Sequence, residues 1–279
     1  MGDGRSGFEA HNAYPLLWAE AGRAFWEMKR PDGDFAIFNR SGYTGISAHT
    51  HIMWLGDQLV TFDRNDGLGS VPRLYLSAGL SGIALTHSDI GGYTSFGSSV
   101  RTYELWARWV TLETFTPFMR THHSGTPAPN LQWSSNEDTL NHYREYGQWH
   151  QRLLPYWTQV VDEAVNKGAP AVRPVWWNEA DPSALFDVDD AFLVGNNLLV
   201  APIVEEGVTG RSVKLPSGTW HRWNSVDAIS ASAQTGTVTV SDVGVEDAIV
   251  FVRGGSVLAL LSENYDTTGQ FDAALDANI

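Results

Sequence analysis

Cysteine is absent from all 279 residues. That excludes a disulfide framework, a thiolate metal site and a cysteine nucleophile. No apolar run reaches the roughly 18 residues that a membrane-spanning helix needs. Basic residues are scarce: 18 Lys and Arg stand against 32 Asp and Glu, a formal net charge of -14. Bulk attraction to nucleic acid or to an anionic membrane is therefore not expected. A local basic pocket for an anionic substrate stays open. The chain has no Gly-x-Ser-x-Gly elbow of a serine hydrolase. It has neither a phosphate-binding loop nor a dinucleotide fingerprint, and no internal repeat. Met1 to Gly7 holds no apolar core of a secretion signal, so a cytoplasmic protein is the expectation.

Hydrophobic residues make up 43% of the chain, enough for a packed core rather than global disorder. Trp is abundant at 12, beside 9 Tyr. Such rings suit sugar binding, although they more often fill cores and interfaces.

Two stretches organise the first half. Ile52-Met53-Trp54-Leu55 is an apolar run that ends in Gly56-Asp57-Gln58. It reads as a short buried strand with a carboxylate at its exit. Gly82-Ile83-Ala84-Leu85-Thr86 repeats the design and opens into His87-Ser88-Asp89-Ile90-Gly91-Gly92-Tyr93. In barrels of alternating strands and helices, chemistry sits at that end of the strands. Asp57 by pattern is either a helix cap or a chemical group.

Around these runs, residues 1–11 read as a frayed start. Asn12 is placed to cap a helix to about Lys29, with Pro15 in its first turn. Strands are expected at Phe35–Phe38, His51–Leu55 and Gly82–Thr86, and a fourth around Phe115–Met119. Helices are expected at Ser70–Leu80, over 99–113, and as one long element from about Asn136 to Lys167. This order implies a parallel sheet with covering helices. A full eight-fold barrel needs about 250 residues, so residues 1–168 fit only part of one. Past Gly168-Ala169-Pro170, β-branched runs and glycine turns take over. Residues 169–262 read as a small antiparallel β-sandwich, and 263–279 as a tail.

Several motifs in this order resemble glycoside hydrolase family 31, most of all its sulfoquinovosidase branch. They are His11-Asn12 with Tyr14-Pro15, Arg40-Ser41-Gly42, Trp54 with Gly56-Asp57-Gln58, and Asp66-Gly67-Leu68. His87 to Tyr93 and Phe115-Thr116-Pro117 with Met119-Arg120-Thr121-His122 follow, then Arg173-Pro174 and Leu199 to Pro202. The resemblance covers residues 11 to about 255. It implies an α/β fold: the C-terminal half of a (β/α)8 TIM barrel, then a small antiparallel β-sandwich. It implies a retaining α-glycosidase with an aspartate nucleophile on the fourth strand and an aspartic acid/base on the sixth. Asp57 matches the acid/base. The nucleophile's motif would precede His11 by more residues than this chain holds. Arg40 and His122 match positions that contact the sugar, and Tyr93 matches a sulfonate contact.

Retaining hydrolysis needs two carboxyl groups about 5–5.5 Å apart. The expected set is Asp57 as acid/base, with Arg40, Trp54, Gln58, Asp89, Tyr93 and His122 toward substrate. Each has a structural alternative. Arg40 can serve a rim ion pair, His122 can be a histidine satisfied by backbone, and Gln58 can satisfy the loop. Asp89 is expected to order neighbouring polar groups. His49, His51, His122 and His123 lack a carboxylate to complete a metal site. No metal or cofactor is expected. The expected partner is an α-glycoside substrate, without nucleic acid or membrane. Three readings stand: a truncated hydrolase of sulfoquinovosides or α-glucosides, a silent carbohydrate-binding or interaction fragment, or half-barrels that associate with each other or with a missing N-terminal half.

Overall fold

The structure is a computed structural model that describes residues 4–223, 228–231 and 236–262. The expected tail lies outside the described residues. Within the expected frayed stretch 1–11, residues 7–10 form a short helix: α1 (Gly7–Ala10) is closed by a capping box between Ser6 and Glu9. Next comes α2 (Ala13–Lys29). Asn12 precedes it without a side-chain cap, because its Oδ1 faces the His11 ring at 3.1 Å.

Three short strands form a parallel sheet in the order β1 (Phe38–Asn39), β2 (Ile52–Trp54) and β3 (Thr86–His87). Phe38 lies opposite Ile52, Met53 opposite Thr86, and Trp54 opposite His87. Two strands sit later than the sequence suggests, each for a local reason. Phe35 N–H turns back to Gly33 O at 2.8 Å, so the chain straightens only afterwards. Gly82 has φ +83 and Ile83 N–H bonds Ala78 O, so these residues close the preceding helix. The expected fourth strand, Phe115–Met119, forms no ladder. Phe115 and Thr116 N–H groups bond Leu112 and Glu113 carbonyls, and pairing begins only at Ile90 opposite Thr121.

The helices α3 (Val71–Leu80) and α4 (Tyr103–Thr114) follow β2 and β3. Pro72 is tolerated in the first turn of α3 because no N–H is needed there. Thr102 Oγ accepts the Leu105 N–H and sets the start of α4, later than residue 99. The expected single helix over 136–167 is two, α5 (Glu137–Arg152) and α6 (Leu154–Lys167). Pro155 lacks the N–H that a continuous helix requires. Among the described residues, no helix is long and apolar enough to cross a membrane.

The rest is mostly antiparallel sheet. Its strands are β4 (Val172–Pro174), β5 (Phe192–Val194), β6 (Leu198–Val200), β7 (Arg211–Leu215), β8 (Gly218–Arg222), β9 (Ala228–Ala231), β10 (Gly236–Val240) and β11 (Val250–Arg253). Six pair in the order β4-β5-β6-β11-β8-β9, and β10 pairs β7 apart from them. Strand alternation splits β5 and β6 between two cores. Phe192, Val194, Leu198 and Val200 join the helices' core with Tyr75 and Trp109. Leu193 and Leu199 join a second core with Val213, Leu215 and Trp220. Burial on both faces explains the unbroken apolar runs. It also packs the β-rich part against α3 and α4.

Candidate active site

The exits of β1, β2 and β3 all open on one rim. After Trp54 and Leu55, Gly56 takes φ +96, which a side chain rarely allows, and the chain turns to present Asp57. A Cβ on Gly56 would meet the Arg40 guanidinium at 3.6 Å. Arg40 arrives from the exit of β1 and places Nη2 3.5 Å from Asp57 Oδ2. Both side chains are more than a third exposed, at 55% and 37%. Such an ion pair is weak and open to exchange for a ligand. Arg40 also stands 5.5 Å from the centre of the Trp54 ring, and Arg120 stands 5.9 Å from it.

Gln58 sits behind Asp57 in the same loop. It is buried, and its Nε2 donates to Leu55 O at 2.9 Å, so it secures the loop behind Asp57. Its backbone carbonyl accepts the N–H groups of Tyr93 and Thr94. Thr94 Oγ1 in turn donates to Asp57 O at 3.1 Å. The two rim loops are thus one hydrogen-bonded unit.

Asp89 is fully buried, and Arg120 donates to its carboxylate. Burial pushes its pKa up to about 6, against the opposing pull of Arg120. His87 is also fully buried, with its ring centre 5.2 Å from Phe38 and 4.6 Å from Phe118. Burial, then Arg120, drives the His87 pKa down to about 3.

His122 lies edge-on to Tyr93, ring centres 4.9 Å apart. Its Nδ1 accepts the Ser124 N–H at 3.1 Å. An accepting Nδ1 leaves the ring proton on Nε2. Burial and Arg120 lower its pKa, so the ring is a neutral Nε2–H donor near pH 7. The structure therefore brings Asp57, Arg40 and Trp54 together at one point of the rim, and Tyr93 with His122 at another. Asp89 lies buried, paired with Arg120.

Three charged side chains that hold the rim or the core beneath it were not singled out from the sequence. Arg120 stood in a quoted motif yet was not selected. Arg101 is buried and donates to four backbone carbonyls. Glu113, fully buried in α4, accepts from Tyr75, Ser88 and Thr116 hydroxyls. A charge amid Trp109, Val110 and Leu112 was a legible signal for Glu113. Among the described residues, no group of three or more His, Asp or Glu is placed to hold a metal. The His51 ring instead faces Ile37 N–H and the Arg23 guanidinium.

Parallel strands, covering helices and a rim of polar strand exits define a TIM-barrel-type domain, here joined to a mostly antiparallel β unit. The chain belongs to glycosyl hydrolases family 31: the family's TIM-barrel domain matches residues 2–160 and its C-terminal domain matches 168–258. A sulfoquinovosidase of Agrobacterium fabrum is 42% identical over 216 residues, 77% of this chain and 32% of that protein. One of Escherichia coli is 36% identical over 214 residues, 76% of this chain and 32% of that protein. Among solved structures, a family 31 sulfoquinovosidase from E. rectale, in complex with an aza-sugar inhibitor, superposes with a TM-score of 0.84 at 36% identity. That match covers 91% of this chain and 37% of the other. The chain spans about a third of the length of the curated relatives it matches.

Proposed function

We propose that this chain supplies the acid/base side of a retaining α-glycosidase site for sulfoquinovosides, with Asp57 as proton donor to the departing sugar oxygen. The observation that carries this reading is the placement of Asp57: a rim carboxyl at a strand exit, reachable by ligand and faced by Arg40. In this reading Arg40 and the Nε2–H of His122 hold sugar hydroxyls, Trp54 packs against the ring, and Tyr93 faces the sulfonate. Gln58 and Asp89 keep the rim in place. The net charge of -14 is a property of the whole chain; at this rim Arg40 and Arg120 each stand beside one carboxylate, Asp57 and Asp89, and Arg40 is exposed enough to turn to an anionic sugar.

The second carboxylate must come from elsewhere. Asp89 cannot serve, since it is buried and bound to Arg120. Four strand positions leave two open edges, and each edge carries a slot. One is a cavity of about 740 Å³ between α2 and the β1 exit, lined by Tyr14, Trp18 and Phe38. The other is a groove of about 930 Å³ where Pro117 and Met119 face α5 and α6. Each slot lies between a helix and an unpaired edge, the place a further parallel strand would fill. We assign these slots to the remaining barrel strands, one of which brings the nucleophile. The boundary near Gly168 separates this half-barrel from the β-sandwich.

A second reading is a sugar-binding fragment without turnover, favoured by the occupied state of Asp89. The test is hydrolysis of nitrophenyl α-sulfoquinovoside and α-glucoside by the chain, alone and with the other barrel strands co-expressed. Asp57→Asn should cut turnover by about 10²-fold or more. An undiminished rate in that variant removes Asp57 from the mechanism. A preference for the glucoside moves the assignment to α-glucosidase. Saturable binding with no turnover in any combination favours the fragment reading.

A further inference from the structure

Arg101 and Asn130 are buried and hydrogen-bonded to the loops that carry Tyr93 and His122. We propose that these two residues form one positioning node that presents the His122 Nε2–H and the Tyr93 ring to the substrate. The value of that arrangement for catalysis rests on the function proposed above; the geometry itself does not.

Arginine carries five N–H donors in a fixed fork. Arg101 uses four bonds to join three stretches of chain. Its Nε donates to Gly91 O at 2.9 Å and its Nη2 to Gly92 O at 2.6 Å. Its Nη1 donates to His122 O at 3.1 Å and to Leu131 O at 2.9 Å. Gly91 and Gly92 lead directly to Tyr93, and His122 is held by its own carbonyl. The guanidinium is buried, and these carbonyls rather than an acid meet its donors. A desolvated charge spent on loop carbonyls points to a demand for fixed geometry.

Asn130 continues the hold. Its Oδ1 accepts the Arg101 N–H at 2.7 Å. Its Nδ2, with two N–H donors, has Ser95 Oγ, Ser124 Oγ and Thr126 O within hydrogen-bond distance, at 3.0, 3.0 and 2.7 Å. Ser124 is the informative partner. Its φ is +74, a left-handed backbone that serine seldom adopts. That turn aims the Ser124 N–H at His122 Nδ1 and so fixes the tautomer. Ser124 Oγ is held by Asn130 and by Thr126 N–H at 3.2 Å. Gly125 N–H, the next in line, bonds Tyr93 O at 2.9 Å and ties the second ring to the same turn. Strained backbone kept by a buried network is a feature of sites that need pre-set donors.

The test reads the imidazole directly and needs no turnover. Long-range proton–nitrogen spectra are recorded on the 279-residue chain, with the His122 signals assigned by their loss in His122→Gln. The unmodified protein should show one His122 tautomer, protonated on Nε2, and a cross-relaxation contact between the Tyr93 and His122 rings. Arg101→Lys and Asn130→Ala should each lose the single tautomer in favour of a mixture and lose the ring contact. Variants that keep the amide spectrum of the β-rich part and also keep both signatures would overturn the proposal. Arg101→Lys carries a risk of misfolding, since it leaves buried carbonyls bare. Asn130→Ala then decides alone, because none of the four Arg101 side-chain bonds runs to Asn130. A failure of the glycosidase reading is distinct: it shows as no hydrolysis by a protein whose tautomer is intact.

Discussion

Arg120 closes over Asp89, a carboxylate with no exposed surface, and the Ile90 N–H bonds Arg120 O at 3.1 Å beside them. This pair joins the exit of β3 to the segment that carries His122. Taking away one partner of a buried ion pair leaves a bare charge, at a cost of about 3–5 kcal/mol. Arg120→Met should show that loss in urea unfolding at pH 8. At pH 5 the loss should be smaller, because Asp89, already raised to about 6, escapes by taking a proton. An equal loss at both pH values would mean that the pair does not hold the rim together.

Two buried groups give stability opposite pH slopes. Burial raises the Glu113 pKa from 4.5 to about 7, against its three hydroxyl donors. Between those values the folded chain holds a proton that the unfolded chain has released. Stability from Glu113 therefore falls as pH rises from about 4.5 to about 7. His87 is lowered from 6.5 to about 3, so the unfolded chain binds the extra proton in that window. Stability from His87 falls as pH drops below 6.5. Melting temperatures at pH 5 and 7.5 separate the two. Glu113→Gln should steepen the loss toward acid, and His87→Leu, of similar volume, should flatten it. The reverse pattern would contradict both assignments.

Glycines 91 and 22 should respond oppositely to alanine. A Cβ on Gly91 would lie 2.4 Å from Arg101 Nε, at φ +84. Both the left-handed backbone and the clash oppose it, so Gly91→Ala should cost more than about 1 kcal/mol. Gly22 lies within α2 with nothing within 4 Å of its would-be Cβ. There alanine removes only flexibility, and Gly22→Ala should stabilise by about 0.5–1 kcal/mol. Denaturant midpoints measure both, and a neutral Gly91→Ala would show that Arg101 is free to move aside.

The rim was legible where chemistry is written as a local pattern. Gly56-Asp57 after an apolar run gives a strand, a turn and a carboxylate from adjacent residues. What long-range packing decides was not legible. Nothing near Arg101 tells a buried guanidinium from a solvated one, since its four acceptors lie nine to thirty positions away. The left-handed backbone of Ser124 has no signature in residue type, because serine is not chosen for it. Pro155 did mark the break between α5 and α6, yet helical periodicity on both sides concealed it. The start of β3 slipped because Gly82-Ile83 serve the end of α3 first, a competition between helix capping and strand that composition alone does not resolve.

The aromatic face of α2 tests the completion of the barrel. Of its described residues only Ala19 is buried, while Trp18 is 68% exposed and stacks on Tyr14 with ring centres 6.3 Å apart. An isolated domain gains little from such rings in water, so they point to a surface that a further strand covers. Trp18→Glu should therefore leave the chain's own stability within about 0.5 kcal/mol. The same change should place a charge in the slot beside β1 and abolish association with the co-expressed barrel strands, with hydrolysis lost alongside. Light scattering and the sulfoquinovoside assay read the two effects. A variant that unfolds by itself, or that still assembles at full activity, would show that this slot is not where the missing strands bind.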